Sequence, residues 1–181
     1  MLLRILKNNR REDKIFQMKN KSFAIRSLLW LAAAAVIVFL DRIIKVHILN
    51  NCTVGEIFGE IPGVADFLYV RNTGAAFSIL NNNTVLLSII SVVFCAAVIL
   101  YWIVKKPQHV LLRAAVAMLF AGALGNAVDR IKYGFVVDFI SIKWFSFPVF
   151  NIADISIVIG AVLGVIFILF FDKSEKEQID G

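Results

Sequence analysis

The sequence predicts a multi-pass membrane protein, mainly α-helical, with four transmembrane helices and a small β-sheet resting outside the membrane. Three observations carry this reading. Apolar residues make up 60% of the 181-residue chain, and its mean hydropathy is +0.82. A soluble domain of this size could not cover that much apolar surface. The apolar residues also fall into four runs of spanning length, and the one long connection between them has the composition of a strand with turns.

A span needs about 20 apolar residues to cross the hydrocarbon core. The first lies at Ser27–Ile48, with Asp41 and Lys45 near its end. Basic residues followed by an apolar run also describe a signal peptide. Here the run continues into Asp41-Arg42-Ile43-Ile44-Lys45 and further apolar sequence, without a small-residue cleavage site, so it reads as a retained span. Val85–Val104 is the strongest of the four, followed by Val110–Val128 and a last span over Ile152–Phe171. Residues 1–26 are a basic tail, 27–171 a single membrane domain, and 172–181 a polar tail expected to be disordered.

In the connection Asn50–Thr84, Phe67-Leu68-Tyr69-Val70 has the β-branched and aromatic content of a strand. Gly55, Gly59, Pro62 and Gly63 supply turns before it. Ala75–Leu80 is apolar enough to lie on the membrane interface.

Orientation follows from Lys and Arg, which are counted on the cytoplasmic side. The net charge of +6 is concentrated at the amino terminus, from Arg4 to Arg26. With that end inside, Lys105, Lys106, Arg113, Lys173 and Lys176 are inside too, and only Arg42, Lys45, Arg71, Arg130, Lys132 and Lys143 are outside. Both termini are therefore expected in the cytoplasm. Tyr101 and Trp102 suit the inner aromatic belt, and Trp144, Phe145 and Phe147 the outer one. The basic tail reads as an orientation signal in contact with anionic lipid, not as a nucleic-acid site. On this topology the polar motifs all collect at the outer interface, a convergence for which a purely structural protein has no need.

Ionisable residues beside spans are costly and usually functional. Asp41 and Lys45, four apart with the acid first, form a helical pair whose role is more structural than catalytic. Gly122, Asn126 and Arg130 lie at i, i+4 and i+8 with Asp129 alongside. They suit helix-packing glue, and Arg130 equally suits a grip on a substrate carbonyl or a lipid head group. Asn72-Thr73-Gly74 is a turn, or an amide aimed at a peptide backbone. Asn151 and Asp154 are placed to cap a helix. Capping does not explain Asp138, in the apolar context Val136-Val137-Asp138-Phe139. Two carboxylates held together in a low-dielectric site share a proton, one serving as base toward water and the other as acid.

The two cysteines and two histidines are solitary, and no motif for metal or covalent chemistry is present. A carboxylate-based proton-coupled transporter is the main alternative. It is disfavoured because the acids gather at one interface and no inverted repeat is visible.

Five motifs together carry a family resemblance: Asp41-x-x-x-Lys45, Asn72-x-Gly74-x-Ala76-Phe77, Gly125-Asn126-x-x-Asp129-Arg130, Val136-Val137-Asp138-Phe139 and Phe150-Asn151-x-Ala153-Asp154. In this order they resemble bacterial lipoprotein signal peptidase, also called signal peptidase II. The resemblance implies a four-span aspartyl protease of the bacterial inner or plasma membrane. Such enzymes cut prolipoproteins just before the diacylglyceryl-modified cysteine, without metal or organic cofactor, and a monomer is expected. It further implies that Asp138 and Asp154 are the catalytic pair. Asn72, Gly74, Asn126, Arg130 and Asn151 would line the cleft, with Asp41, Lys45, Gly122 and Asp129 in support. Arg42 departs from the family, which commonly has Gln there, and Ala121 stands where a second Gly is common.

Overall fold

The computed structural model describes residues 2–74 and 83–172. The apolar segment Ala75–Leu80 and the polar tail from Lys173 onward lie outside the described residues. Four helices and three strands run in the order α1 (Leu2–Asn51), β1 (Ile57–Ile61), β2 (Ala65–Asn72), α2 (Thr84–Lys105), α3 (Val110–Tyr133), β3 (Val136–Ile142) and α4 (Ile152–Phe170). All four helices contain stretches long and apolar enough to cross a membrane. The fold class read from the sequence is thus the one observed.

The 50 residues of α1 form a single helix, about 75 Å long at 1.5 Å per residue. Its membrane-compatible part is Lys21–Asn51. The basic segment before it continues the same helix, a continuity that the sequence reading does not foresee. α2 closes on Lys106 in the left-handed conformation, whose N–H bonds to the Trp102 carbonyl. Pro107, which lacks an amide hydrogen, then stops the helix. α3 opens on His109, whose ring accepts from the Leu111 N–H, and closes on Gly134 at φ 76°. Such a turn favours glycine because it has no Cβ.

α3 is the central helix and packs on α1, α2 and α4. Its small residues, among them Ala115, Ala117, Ala121 and Gly125, are buried. Without a hydrophobic drive between helices in lipid, close backbone approach through small residues supplies the packing. The α3–α4 seam is the tightest. A Cβ at Gly122 would overlap the Ala153 carbonyl, and one at Gly160 would come within 2.9 Å of the Ala115 carbonyl oxygen. The two glycines thus occupy reciprocal positions in one contact. Ser156 adds a hydrogen bond from Oγ to the Met118 carbonyl at 2.8 Å. The large apolar residues of α2 and the outer face of α1, such as Val93, Ile103 and Leu29, are exposed, as lipid-facing residues should be.

The strands form one antiparallel sheet in the order β1-β2-β3. Pro62-Gly63 joins β1 to β2 in a tight turn closed by Val64 N–H to the Ile61 carbonyl, with Gly63 at φ 71°. Gly59, which the sequence reading assigns to a turn, is instead inside β1 opposite Phe67. An extra residue between Ile57 and Gly59 bulges the strand there, and a Cβ on Gly59 would press to 3.2 Å on the Phe67 ring. A second bulge, in β2 between Phe67 and Val70, accompanies burial of Tyr69 against Ile48, Val137 and Phe139. This cluster fixes the sheet on the end of α1.

Candidate active site

Alternation along β3 creates the site. Val137 and Phe139 face the Ile48–Tyr69 cluster, while Val136 and Asp138 face a cleft of about 880 Å³. Val70 of β2 pairs with Asp138 and Asn72 pairs with Val136. Asn72 is therefore the diagonal, same-face neighbour of Asp138. Its Nδ2 donates to Asp138 Oδ2 at 2.8 Å, while its Oδ1 accepts the Gly74 N–H at 2.9 Å. The turn and cleft readings of Asn72 are thus both met, one by each end of the amide.

Phe150 extends the sheet by one bridge to Ile140, with bonds of 2.8 and 3.1 Å in the two directions. That bridge delivers the start of α4 beside β3. Asn151 and Asp154 form a capping box. Asn151 Oδ1 accepts the Asp154 N–H at 3.0 Å, and Asp154 Oδ2 accepts the Asn151 N–H at 3.1 Å. Asn151 has a second function. Its Nδ2 donates to Asp138 Oδ1 at 2.6 Å, so one residue bonds both carboxyl groups, Asp138 through its side chain and Asp154 through its backbone N–H. Asp154 Oδ1 receives Asn126 Nδ2 from α3 at 2.7 Å.

The orientation of Asn126 is fixed from behind. Its Oδ1 accepts from Lys45 Nζ at 3.0 Å and from Asn151 Nδ2 at 3.1 Å, which leaves only its NH₂ to face Asp154. Lys45 is fully buried and lies 2.9 Å from Asp41 and 3.1 Å from Asp129. Asp41 in turn accepts the Ala153 N–H at 3.1 Å, and Asp129 accepts the Val137 N–H at 3.2 Å. The helical pair Asp41–Lys45 thus belongs to a buried polar layer that joins α1 to α3, β3 and the start of α4.

Arg130 donates from Nη2 to the Gly74 carbonyl at 2.9 Å and lines the cleft. Its buried Nε has no hydrogen-bond partner among the described residues. Every site residue named from the sequence falls in this region, with Gly122 a turn away on α3 in the seam against α4. Two residues that the sequence reading left out join them. Arg42 pairs with Asp129 and also bonds the Tyr133 hydroxyl. The signal was present in outline, since Asp129 and Tyr133 are four apart on one face of α3. Arg42 thereby supplies the second cation that balances Asp41 and Asp129.

Asp138 is 1% exposed. Burial, followed by the neighbouring Asp154 carboxylate, pushes its carboxyl up to about 7. A carboxyl so placed is protonated in mildly acid solution, is still about half protonated at neutral pH, and can donate that proton.

Four helices long and apolar enough to cross a membrane, with two acids lining one cleft at the sheet end of the bundle, define a multi-pass membrane protein. The chain matches the family described as signal peptidase (SPase) II over residues 33–170, and it belongs to that family of membrane peptidases. It is 33% identical over 149 residues to the lipoprotein signal peptidase of Enterococcus faecalis, covering 82% of this chain and 92% of that one. The Staphylococcus carnosus lipoprotein signal peptidase is 37% identical over 161 residues, covering 86% and 98%. A solved bacterial membrane enzyme at 2.3 Å superposes with TM-score 0.73 and 36% identity, covering 83% of this chain and 90% of that one.

Proposed function

We propose that this chain is an intramembrane aspartyl endopeptidase that removes signal peptides from prolipoproteins, cutting just before the diacylglyceryl-modified cysteine. The observation that carries the proposal is that Asp138 and Asp154 line one cleft and both bond Asn151, Asp138 to its side chain and Asp154 to its backbone N–H. In the proposed reaction Asp154 is the ionised member. It sits at the positive end of α4 and both its oxygens accept hydrogen bonds. Asp154 takes a proton from water as the water attacks the scissile carbonyl. Asp138 carries the shared proton and donates it to the developing oxyanion; Asp154 then passes the water-derived proton to the leaving amine, and Asp138 regains a proton from the hydroxyl as the carbonyl re-forms.

Asn72, Asn126 and Asn151 orient the two carboxylates. Arg130 and the Gly74 carbonyl hold the substrate backbone. Asp41, Lys45, Asp129 and Gly122 keep the helices in register. The positive-inside balance supports cytoplasmic termini, with the cleft near the outer leaflet. The substrate is met there by a single copy of the enzyme.

The lower wall of the cleft is apolar, including Ile90, Phe94, Ile155 and Val158. This composition suits a substrate that arrives in the membrane plane. A diacylglyceryl group held in the leaflet gains about 0.8 kcal/mol per buried CH₂ and sets the scissile bond at the depth of the acids. The test compares a lipidated prolipoprotein with the same chain lacking its lipid, in detergent and in liposomes. We expect the lipid-free form to be cut at least about a hundredfold more slowly, ~2.7 kcal/mol of barrier. Equal rates would show that the site reads peptide alone and would reject the lipid-dependent part of the proposal.

A further inference from the structure

A second cavity, of about 450 Å³, lies between α1, α2 and α3 at the end of the bundle away from the sheet. Its wall is almost wholly apolar and includes Ala24, Leu28, Leu31, Trp102 and Phe120. The hydrogen bond from Trp102 Nε1 to Ser27 Oγ, at 3.1 Å, occupies the polar atoms of those two side chains. The segments next to the lining residues are basic. Lys21 lies three and seven residues before Ala24 and Leu28, on the same stripe of α1, and Lys106 caps the end of α2, three residues past Ile103.

Behind them is a charge without a counter-charge among the described residues. Arg113 is 2% exposed. Its Nε donates to the Pro107 carbonyl at 2.6 Å and its Nη2 to Gln108 Oε1 at 2.9 Å, with the Phe23 ring 5.5 Å from its guanidinium carbon. No carboxylate pairs with it among the described residues. The nearest charge acting on it is the like charge of Arg26. No Asp or Glu occurs from Lys14 to Leu40 or from Thr84 to Val128. Burial of a cation is costly unless an anion lies close by, and Lys21, Arg26, Lys106 and Arg113 each lie within three residues of a residue that lines the slot.

We infer that this groove is a binding site for an anionic phospholipid, with its phosphate between Lys21, Lys106 and Arg26 and one acyl chain in the slot. The length of the elements agrees. Arg113 is 20 residues before the end of α3 at Tyr133, about 30 Å along the helix axis, the thickness of the hydrocarbon core. The phosphate thus lies at headgroup level in the leaflet opposite the Asp138–Asp154 cleft, and the chain runs toward the middle of the membrane. Occupancy fastens α2, of which Leu87 and Cys95 alone are buried, to α1 and α3.

Native mass spectrometry of the full chain in detergent tests this without reference to peptidase activity. The probes are palmitoyl-oleoyl phosphatidylglycerol, phosphatidylcholine with the same acyl chains, and free glycerol 3-phosphate. The first should bind at one copy per protein, about tenfold or more tightly than the second, a modest figure against roughly 1 kcal/mol per basic residue at a surface. Glycerol 3-phosphate should not displace it. The exposed substitutions Lys21→Gln and Lys106→Gln together should reduce the preference to about threefold or less, and Ala24→Trp, which fills the slot, should abolish retention of either lipid. Equal binding of the two lipids, displacement by glycerol 3-phosphate, or indifference to these substitutions would each overturn the proposal.

Discussion

Replacement of either acid by its amide, Asp138→Asn or Asp154→Asn, is expected to lower prolipoprotein processing about a thousandfold or more, ~4 kcal/mol of barrier. The protein should remain folded in both cases. One of Asn151 and Asn72 can still donate to the single amide oxygen at position 138, at the loss of the other's bond, and Asn is itself tolerated near the start of a helix, where Asp154 lies. The amide cannot cycle a proton, so the chemistry is lost while the hydrogen-bonded frame stays. Processing can be followed by the mobility shift of a lipidated precursor, and folding by gel filtration and thermal unfolding in detergent. Turnover within tenfold of the parent enzyme in either variant would remove that residue from the catalytic pair.

The second large effect belongs to a residue that does not reach the cleft. Lys45→Met leaves Asp41 and Asp129 with Arg42 as their only cation among the described residues. Breaking a buried charge pair from one side costs about 3–5 kcal/mol, so the unfolding temperature should fall by on the order of 10 °C. Activity should fall further than stability explains. Without Lys45, Asn126 loses one of the two donors that fix its amide, and the NH₂ facing Asp154 is no longer enforced. Addition of Asp41→Asn should restore part of the stability by removing one unpaired carboxylate. An unchanged unfolding temperature in the single variant would show that the buried layer does not depend on this cation.

The comparison of sequence with structure separates two kinds of information. Four apolar runs made the helices legible, because lipid demands length and hydropathy and little else. The strand at Phe67–Val70 was legible from its own composition. β3 was not called a strand, although Val136-Val137-Asp138-Phe139-Ile140 is rich in strand formers, because the acid in it drew the functional reading first. β1 was hidden by Gly59, which reads as a turn but sits in a bulge. The unbroken course of α1 back to Leu2 was obscured because basic and polar residues give no apolar period to follow.

The candidate site was legible as a set of residue types and spacings. Its wiring was not. Asn72 and Asn151 each admitted a local reading, turn or cap, and a long-range one. The coordinates give both at once because the two ends of an amide bond differently. No spacing rule joins Lys45 to Asn126, which are 81 residues apart. Arg42, a departure from the family pattern, becomes intelligible only beside Asp129 and Tyr133.

The central claim is that the two acids hold one proton between them, carried by Asp138. The infrared spectrum of the purified protein reports it directly, through the C=O stretch of a protonated carboxyl group. Folding raises the Asp138 pKa from 3.8 to about 7, so the native protein retains this proton through mildly acid pH and releases it as pH rises through about 7. A carboxylic acid band should therefore be present at about pH 5.5, where an ordinary carboxylate is ionised, and absent at about pH 9. It should be missing throughout from Asp138→Asn. A spectrum without that band at the lower pH, or a band that persists unchanged in Asp138→Asn, would contradict the shared-proton account.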